Sequence, residues 1–441
     1  MSVVSALVGE EFDALKRTTR VAPGRAGTLR SWLRYRCLGM PPLRRRVSSL
    51  PVDGGAALQV MLAAARAARD PRARQELRRL LVADLDWKHL TQTAARHRML
   101  VIVARAVLDH AADCVSEDTR ATLRRVCLSS TAESMRKLGQ LLTVLEVLEE
   151  AGIRSLPLKG PVLAQMAYGD LGLRMSSDLD VLLSGTDLRA AVGKLQTRGY
   201  RLQLQLGERQ MAGLVRFGCE LWLAPAGGGA PLELHWAIVP RNIGCHLDMD
   251  RVGQRALTVD VLGRAVLWPQ ADDLFLILCL HGSKHRWGQL ELMHSVAELA
   301  AKGRDVDWTG LVETATTLGC RRRCLLGGLL AAEVLGAPIP EEFLRQARAD
   351  RRVVCLSKEA RECLSATGRE EASVLEAMRW NIATLDTTRR RLAYVLMLTL
   401  VPSLGDWERL SLPPRLYPLY YVTRPFRLFA KYVCRWTGLP R

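Results

Sequence analysis

The hydrophobic period of this chain shifts from helical to strand-like near residue 152 and back near 272, and that change constrains the fold most. Before it, apolar residues recur at helical spacing: Leu58, Met61, Leu62 and Ala65, then Leu77, Leu80 and Leu81. Leu138, Leu141, Leu142, Leu145 and Leu148 form one stripe of a helix expected over 119–148, which Gly152 closes. Residues 153–158 then read as a short strand, and Pro161 opens a helix at its first position, where a missing N–H costs nothing. A strand is expected at 177–183, a helix at 187–199, and further strands at 200–206, 219–223 and 232–239, with the glycine-rich 224–230 as a hairpin loop. Helical spacing returns after Asp272 and holds to about Leu400. The expected fold is α+β: a small mixed-sheet core at 151–265 between a helical region at 56–150 and a helical lobe at 266–400. A basic arm (1–55) and an aromatic, basic tail (401–441) complete the chain.

The chemistry concentrates in the core. Asp178 and Asp180 lie two apart on a strand, so both side chains share a face, while Leu179 and Val181 take the other. Adjacent carboxylates repel unless a cation sits between them, and a hard divalent ion with oxygen ligands is the usual answer. Glu233, on the strand Leu232-Glu233-Leu234-His235-Trp236, shares a face with His235. If that strand lies beside the first, Glu233 completes a three-carboxylate set able to hold Mg²⁺, or Mn²⁺, for in-line phosphoryl displacement. Upstream, Gly160 allows close backbone approach and Lys159 offers a point charge to a phosphate at the start of a helix. Arg174 and Ser177, just before the paired acids, would meet the same anion. His281, His285 and His294 fall with Lys284 on one expected helical stretch, the first two at i, i+4. They lack the third ligand of a zinc site, so His281, His285 and Lys284 are read, with His235, as substrate-lining residues.

At these residues the chain resembles the uncharacterised nucleotidyltransferase family of the polymerase-beta-like nucleotidyltransferase superfamily. The matching blocks are LPLKGPVLAQMAYGDLGLRMSSDLDVLL (156–183), RGY (198–200), LELHW (232–236) and LHGSKHRWGQL (280–290). Weaker similarity reaches back to DWKHLTQTAARHRML and forward to PLYYVTRPFRLF. The resemblance implies a mixed sheet, Gly160 as the turn glycine that seats a triphosphate, and Asp178, Asp180 and Glu233 as metal ligands and catalytic acids. The implied reaction moves a nucleoside monophosphate from an NTP to an acceptor, a small molecule, a peptide or an RNA, with pyrophosphate leaving. Lys159-Gly160 stands where the wider superfamily has Gly-Ser, and Glu233 where Asp is more usual. Ser295, in LMHSVAEL, stands where relatives place an acid.

Composition sets the limits. With 49% apolar and 24% charged residues the chain is no disordered polyelectrolyte. Lys and Arg number 63 against 45 acids, a net charge of +18 that attracts phosphate in nucleotide, nucleic acid or lipid. Eleven cysteines, an odd count with no Cys-x-x-Cys pair, argue against a disulfide framework or zinc ribbon and for a reducing cytoplasm. No secretory signal is expected, and the uncharged apolar run 392–402 is too short to span a bilayer. A peripheral site at the inner membrane face is open to the tail. There Phe426, Phe429, Val433 and Trp436 oppose Arg424, Arg427, Lys431 and Arg435 over 424–436, which suits an anionic surface or a helix docked on its own core. The rivals to catalysis are an inactive nucleotide-binding or regulatory module on the same fold and a basic RNA-binding protein, for which no recognition motif is present.

Overall fold

The structure is a computed structural model and describes residues 55–203, 207–245, 247–302, 306–365, 374–402, 406 and 412–437. The basic arm, Gly55 apart, lies outside them.

Among the described residues five helices come first: α1 (Ala56–Ala67), α2 (Pro71–Val82), α3 (Trp87–Arg96), α4 (Leu100–His110) and α5 (Glu117–Glu150). Three of these starts are legible in side-chain chemistry. Asp70 caps α2 by accepting from the N–H of Arg72, with Pro71 at the first position, and Asp86 and Ser116 cap α3 and α5 in the same way. Leu138, Leu141 and Leu148 are buried along α5, and Leu142 and Leu145 are half-buried beside them. Gly152 ends it with φ +70°, and the N–H of Ile153 returns to the carbonyl of Leu148.

The sheet follows: β1 (Ser155–Pro157), β2 (Leu179–Leu183), β3 (Tyr200–Leu202), β4 (Glu220–Pro225) and β5 (Leu232–His235), in the order β1-β2-β5-β4-β3. Only β2 and β5 run parallel. Between the strands lie α6 (Gly160–Leu163), whose turn continues to Tyr168, α7 (Leu188–Thr197) and α8 (Glu208–Phe217). One sheet face is apolar, with Leu179, Val181, Leu221, Leu223, Leu232 and Leu234 buried in the core. The other face carries Asp180, Glu233 and His235.

α9 (Met249–Arg255) leads to a second hairpin, β6 (Leu257–Val261) and β7 (Arg264–Trp268). Its two-residue loop, Leu262-Gly263, has positive φ at both positions. The remaining helices are α10 (Ala271–Lys284), α11 (Leu290–Lys302), α12 (Trp308–Leu318), α13 (Arg321–Leu335), α14 (Glu341–Ala349), α15 (Arg351–Ser365), α16 (Val374–Thr384), α17 (Thr388–Leu400) and α18 (Leu419–Thr437). One hydrophobic cluster runs from Ala57 to Trp380. The architecture is α+β, a small mixed sheet among helices. Among the described residues the nine cysteines are free thiols, and no helix is long and apolar enough to cross a membrane.

The structure alters three local expectations. The single helical stretch holding His281, His285 and His294 is two helices, broken where Arg286 and Trp287 adopt positive φ, so His294 turns away toward Tyr168 and Glu298. α8 was not expected at all. Arg424, placed by sequence on an exposed basic face, is buried: it donates to the carbonyl of Leu398 and pairs with Asp406. The side chains of Phe429, Lys431, Val433, Arg435 and Trp436 lie outside the described ones.

Candidate active site

The parallel pairing of β2 with β5 builds the site. Asp180 lies opposite Glu233, and Glu233 in turn opposite Trp222 of β4. One step along, His235 lies between Leu182 and Glu220. Partners across a ladder share a face, so Asp180, Glu233, His235, Glu220 and half-buried Trp222 form one patch over three strands.

Within it, His235 Nε2 is 3.0 Å from Asp180 Oδ1 and 3.3 Å from Glu233 Oε2. Lys159 Nζ is 3.0 Å from the same Asp180 oxygen and 3.4 Å from His281 Nδ1. Burial pushes the Asp180 carboxyl up, but the charge of Lys159 and the hydrogen bond from His235 outweigh it and hold the group well below the usual carboxylate range. Burial alone would push the His235 imidazole down; its bonds to Asp180 and Glu233 raise it to about 9. The two carboxylates thus favour the protonated form of His235, and a bound cation would favour the neutral one.

Asp178 stands just before β2, half-buried, where its charge acts on Lys137 and Arg174. Asp180, Glu233 and His235 are all buried and offer ligand atoms within 4.8 Å of one another. Two carboxylates and an imidazole are donors a divalent cation accepts, so the residues fit one. Asp178 is outside that trio, and His235 is inside it.

Gly160 turns the chain from β1 into α6 with φ +67°, and a Cβ there would meet nothing nearer than 3.9 Å, the carbonyl of Asp178 and Oγ of Ser176. The demand for glycine is thus conformational. Gly160→Ala should cost about 1–2 kcal/mol of stability, the penalty of left-handed backbone, read as a lower urea midpoint. A loss several times larger would show that the space above the turn is not open.

The other expected residues divide between two flanks. Lys159, His235, His281 and Lys284 line a narrow cleft with Leu158, Glu220, Ile238 and Ile277. There Lys284 Nζ is 3.0 Å from Glu220 Oε2, which is 3.8 Å from His235 Nδ1. His285 stacks edge-on against His281, with ring centroids 4.7 Å apart, and does not line the cleft. On the opposite flank Arg174 is buried, its Nε 2.8 Å from Glu291 Oε1. Ser295 Oγ donates to that Glu291 oxygen at 3.0 Å and lies 2.9 Å from the Tyr168 hydroxyl. Glu291, one turn earlier on α11, is thus the acid beside Ser295. Ser177 Oγ is 3.5 Å from an Arg98 nitrogen, and Lys137 of α5 donates to the carbonyl of Ser176.

Glu220, Glu291, Lys137 and Arg98 were not singled out from sequence. Glu220 had a signal, since it sits at i and i+2 with Trp222 on a strand; the other three reach the site only through helix packing.

A family model described as an uncharacterised nucleotidyltransferase matches residues 83–336. None of the curated proteins and none of the solved structures matches the chain.

Proposed function

The chain belongs to the uncharacterised nucleotidyltransferase family, and we propose that it transfers a nucleoside monophosphate from an NTP to an acceptor, with release of pyrophosphate. The observation that carries this reading is the register: Asp180 opposite Glu233 on parallel strands, beside the Lys159-Gly160 turn. Asp178, Asp180 and Glu233 form the acid set; Asp180 and Glu233, with His235 inside the same cluster, would hold Mg²⁺, or Mn²⁺. Bound there, such an ion supplies charge neutralisation and alignment of the reacting oxygens.

In this reading Gly160 lets the donor's phosphates approach the backbone, and Lys159, at the mouth of the cleft, meets their charge. Arg174 and Ser177 shape the loop that carries Asp178. A nucleophilic oxygen of the acceptor bonds to the α-phosphorus, the bond to the bridging oxygen breaks, and pyrophosphate leaves with that electron pair. The acceptor's proton passes to a carboxylate of the set.

Calorimetric titration of each NTP with Mg²⁺ tests the reading on the intact protein and on the Asp178→Ala/Asp180→Ala variant. Metal-dependent binding lost in the variant is expected, followed by pyrophosphate release once an acceptor is supplied. Binding without release from any acceptor would favour the inactive module, and no binding would remove the nucleotide site.

The C-terminal helices add a surface. α17 exposes Leu392, Leu396 and Leu400, and α18, packed on it, exposes Leu419, Val422 and Phe426, the last at 71%. Tyr420 and Arg424 point inward. Residues 387–441 hold ten Lys and Arg against two acids. An exposed apolar stripe in so basic a segment suits an anionic membrane surface. The intact protein should float with anionic vesicles and not with neutral ones, and Leu396→Glu/Phe426→Glu should stay at the bottom; an intact protein that fails to float removes the membrane role.

A further inference from the structure

We infer that Arg98, brought to the site by the N-terminal helices, clamps the β- and γ-phosphates of the donor. The helical region ahead of the sheet is then part of the active site. The inference rests on the nucleotidyltransferase reading and extends it to a residue outside the sheet.

Arg98 occupies the tip between α3 and α4. Its φ is +57°, a left-handed conformation that a long side chain adopts rarely and that glycine or asparagine would adopt more easily. The tip is held on both sides. His97 and Met99 are buried, and the tip is pinned to the start of α11 by three hydrogen bonds. The N–H of Leu290 donates to His97 Nδ1 at 3.3 Å, that of Glu291 to the carbonyl of His97 at 3.3 Å, and Gln289 Nε2 to the carbonyl of Arg96 at 3.4 Å. The backbone of Arg98 is therefore fixed by its neighbours, and its own side chain contributes nothing to that anchorage. Local strain of this kind, held in place by its surroundings, is a mark of functional positions.

The side chain points at the loop before β2. Among the described residues its one hydrogen bond is the long contact to Ser177 Oγ, 3.5 Å, next to Asp178. Its neighbours are matched: Lys137 lies 3.4 Å from Glu133, and Arg174 lies 2.8 Å from Glu291, whose charge Arg98 also feels. Asp178 belongs to the acid set. Among the described residues Arg98 is thus a half-buried guanidinium without a carboxylate in hydrogen-bond range, facing the loop that carries Asp178. A planar fork so placed fits a phosphate oxygen pair. Lys159 and Arg98 would then hold a polyphosphate chain from two sides.

The test uses the full chain and the variants Arg98→Asn and Arg98→Lys. Asparagine suits the left-handed backbone, so Arg98→Asn should unfold no earlier than the intact protein. With Mg²⁺ present, it should bind an NTP and inorganic tripolyphosphate about 10- to 100-fold more weakly, the loss of one charged hydrogen-bonding group. Arg98→Lys should fall between. Mn²⁺ alone, followed by its paramagnetic resonance, should bind all three proteins equally, as should the nucleoside monophosphate, which lacks the outer phosphates. Undiminished tripolyphosphate and NTP binding by Arg98→Asn overturns the clamp while leaving the nucleotidyltransferase reading intact. A variant that loses stability and Mn²⁺ affinity together makes Arg98 a structural residue, which also overturns it. An intact protein that binds no NTP removes the parent reading, and the clamp with it.

Discussion

Asp180→Asn should lower pyrophosphate release by about 10³-fold, the scale on which removal of one precisely placed charge-stabilising group acts. It should also change a second signal that does not depend on turnover. Asp180 accepts from His235 and faces Lys159 through one oxygen. Asparagine keeps the shape and removes the charge. His235, raised to about 9 in the intact protein, then loses its strongest partner, and burial becomes the dominant influence. Its imidazole resonances should titrate well below 9. The sign for stability follows. A group whose folded value is raised stabilises the fold at low pH, and the contribution disappears as pH climbs from its unfolded value of 6.5 through about 9. The intact protein should therefore lose stability across that window, and Asp180→Asn should show a flatter profile. Asp178→Asn should impair turnover without moving the His235 titration, because Asp178 does not touch His235. Full turnover in Asp180→Asn, or an equal shift of His235 in Asp178→Asn, would falsify the division of roles between the two acids.

Strand alternation predicts that Asp178 and Asp180 share a face and that Glu233 and His235 share one; in the structure Asp180, Glu233 and His235 lie on one sheet face and Asp178 stands just before β2. Their meeting was conditional: β2 and β5 are separated by some fifty residues of chain, and only the tertiary pairing places Asp180 opposite Glu233. That pairing also brings Glu220 to His235. Lys137 and Glu291 sit on helices whose apolar stripes announce a buried face but not which neighbour covers it, and Arg98 sits in the turn between two such helices. α8 escaped notice because its buried face is thin: Met211, Leu214 and Val215 are only half-buried against the core. The β6–β7 hairpin had a usable signal, a two-residue Leu-Gly loop between alternating Val259, Val261 and Val266, Trp268. Arg424 was misplaced because helical periodicity describes one helix at a time. Asp406 and the end of α17 lie against α18, and they turn one member of its basic stripe into a buried pair.

The Arg174–Glu291 pair predicts the largest stability effect in the molecule. Both side chains are about 95% buried, and the pair ties the loop before β2 to α11. Burial pushes the Glu291 carboxyl up, but Arg174, then Arg98, then the hydrogen bond from Ser295 outweigh it and leave the group below its ordinary 4.5. Arg174→Ala should destabilise the fold by about 3–5 kcal/mol at pH 7, because it strands a buried carboxylate. The deficit should shrink with acid. In the variant the Glu291 carboxyl rises and protonates early, whereas in the intact protein the pair keeps its contribution until pH falls below the depressed value. Glu291→Gln in the Arg174→Met background should recover much of the loss, since neutral groups of similar volume remove the stranded charge. Equilibrium unfolding of the intact protein, Arg174→Ala, Arg174→Met and Arg174→Met/Glu291→Gln at pH 7 and pH 4 reads these differences. A deficit for Arg174→Ala that is the same at both pH values would mean that Arg174 acts through packing and not through its charge. The tie from α11 to Asp178 would then be steric, and Ser295 and Tyr168 would keep their positions without it.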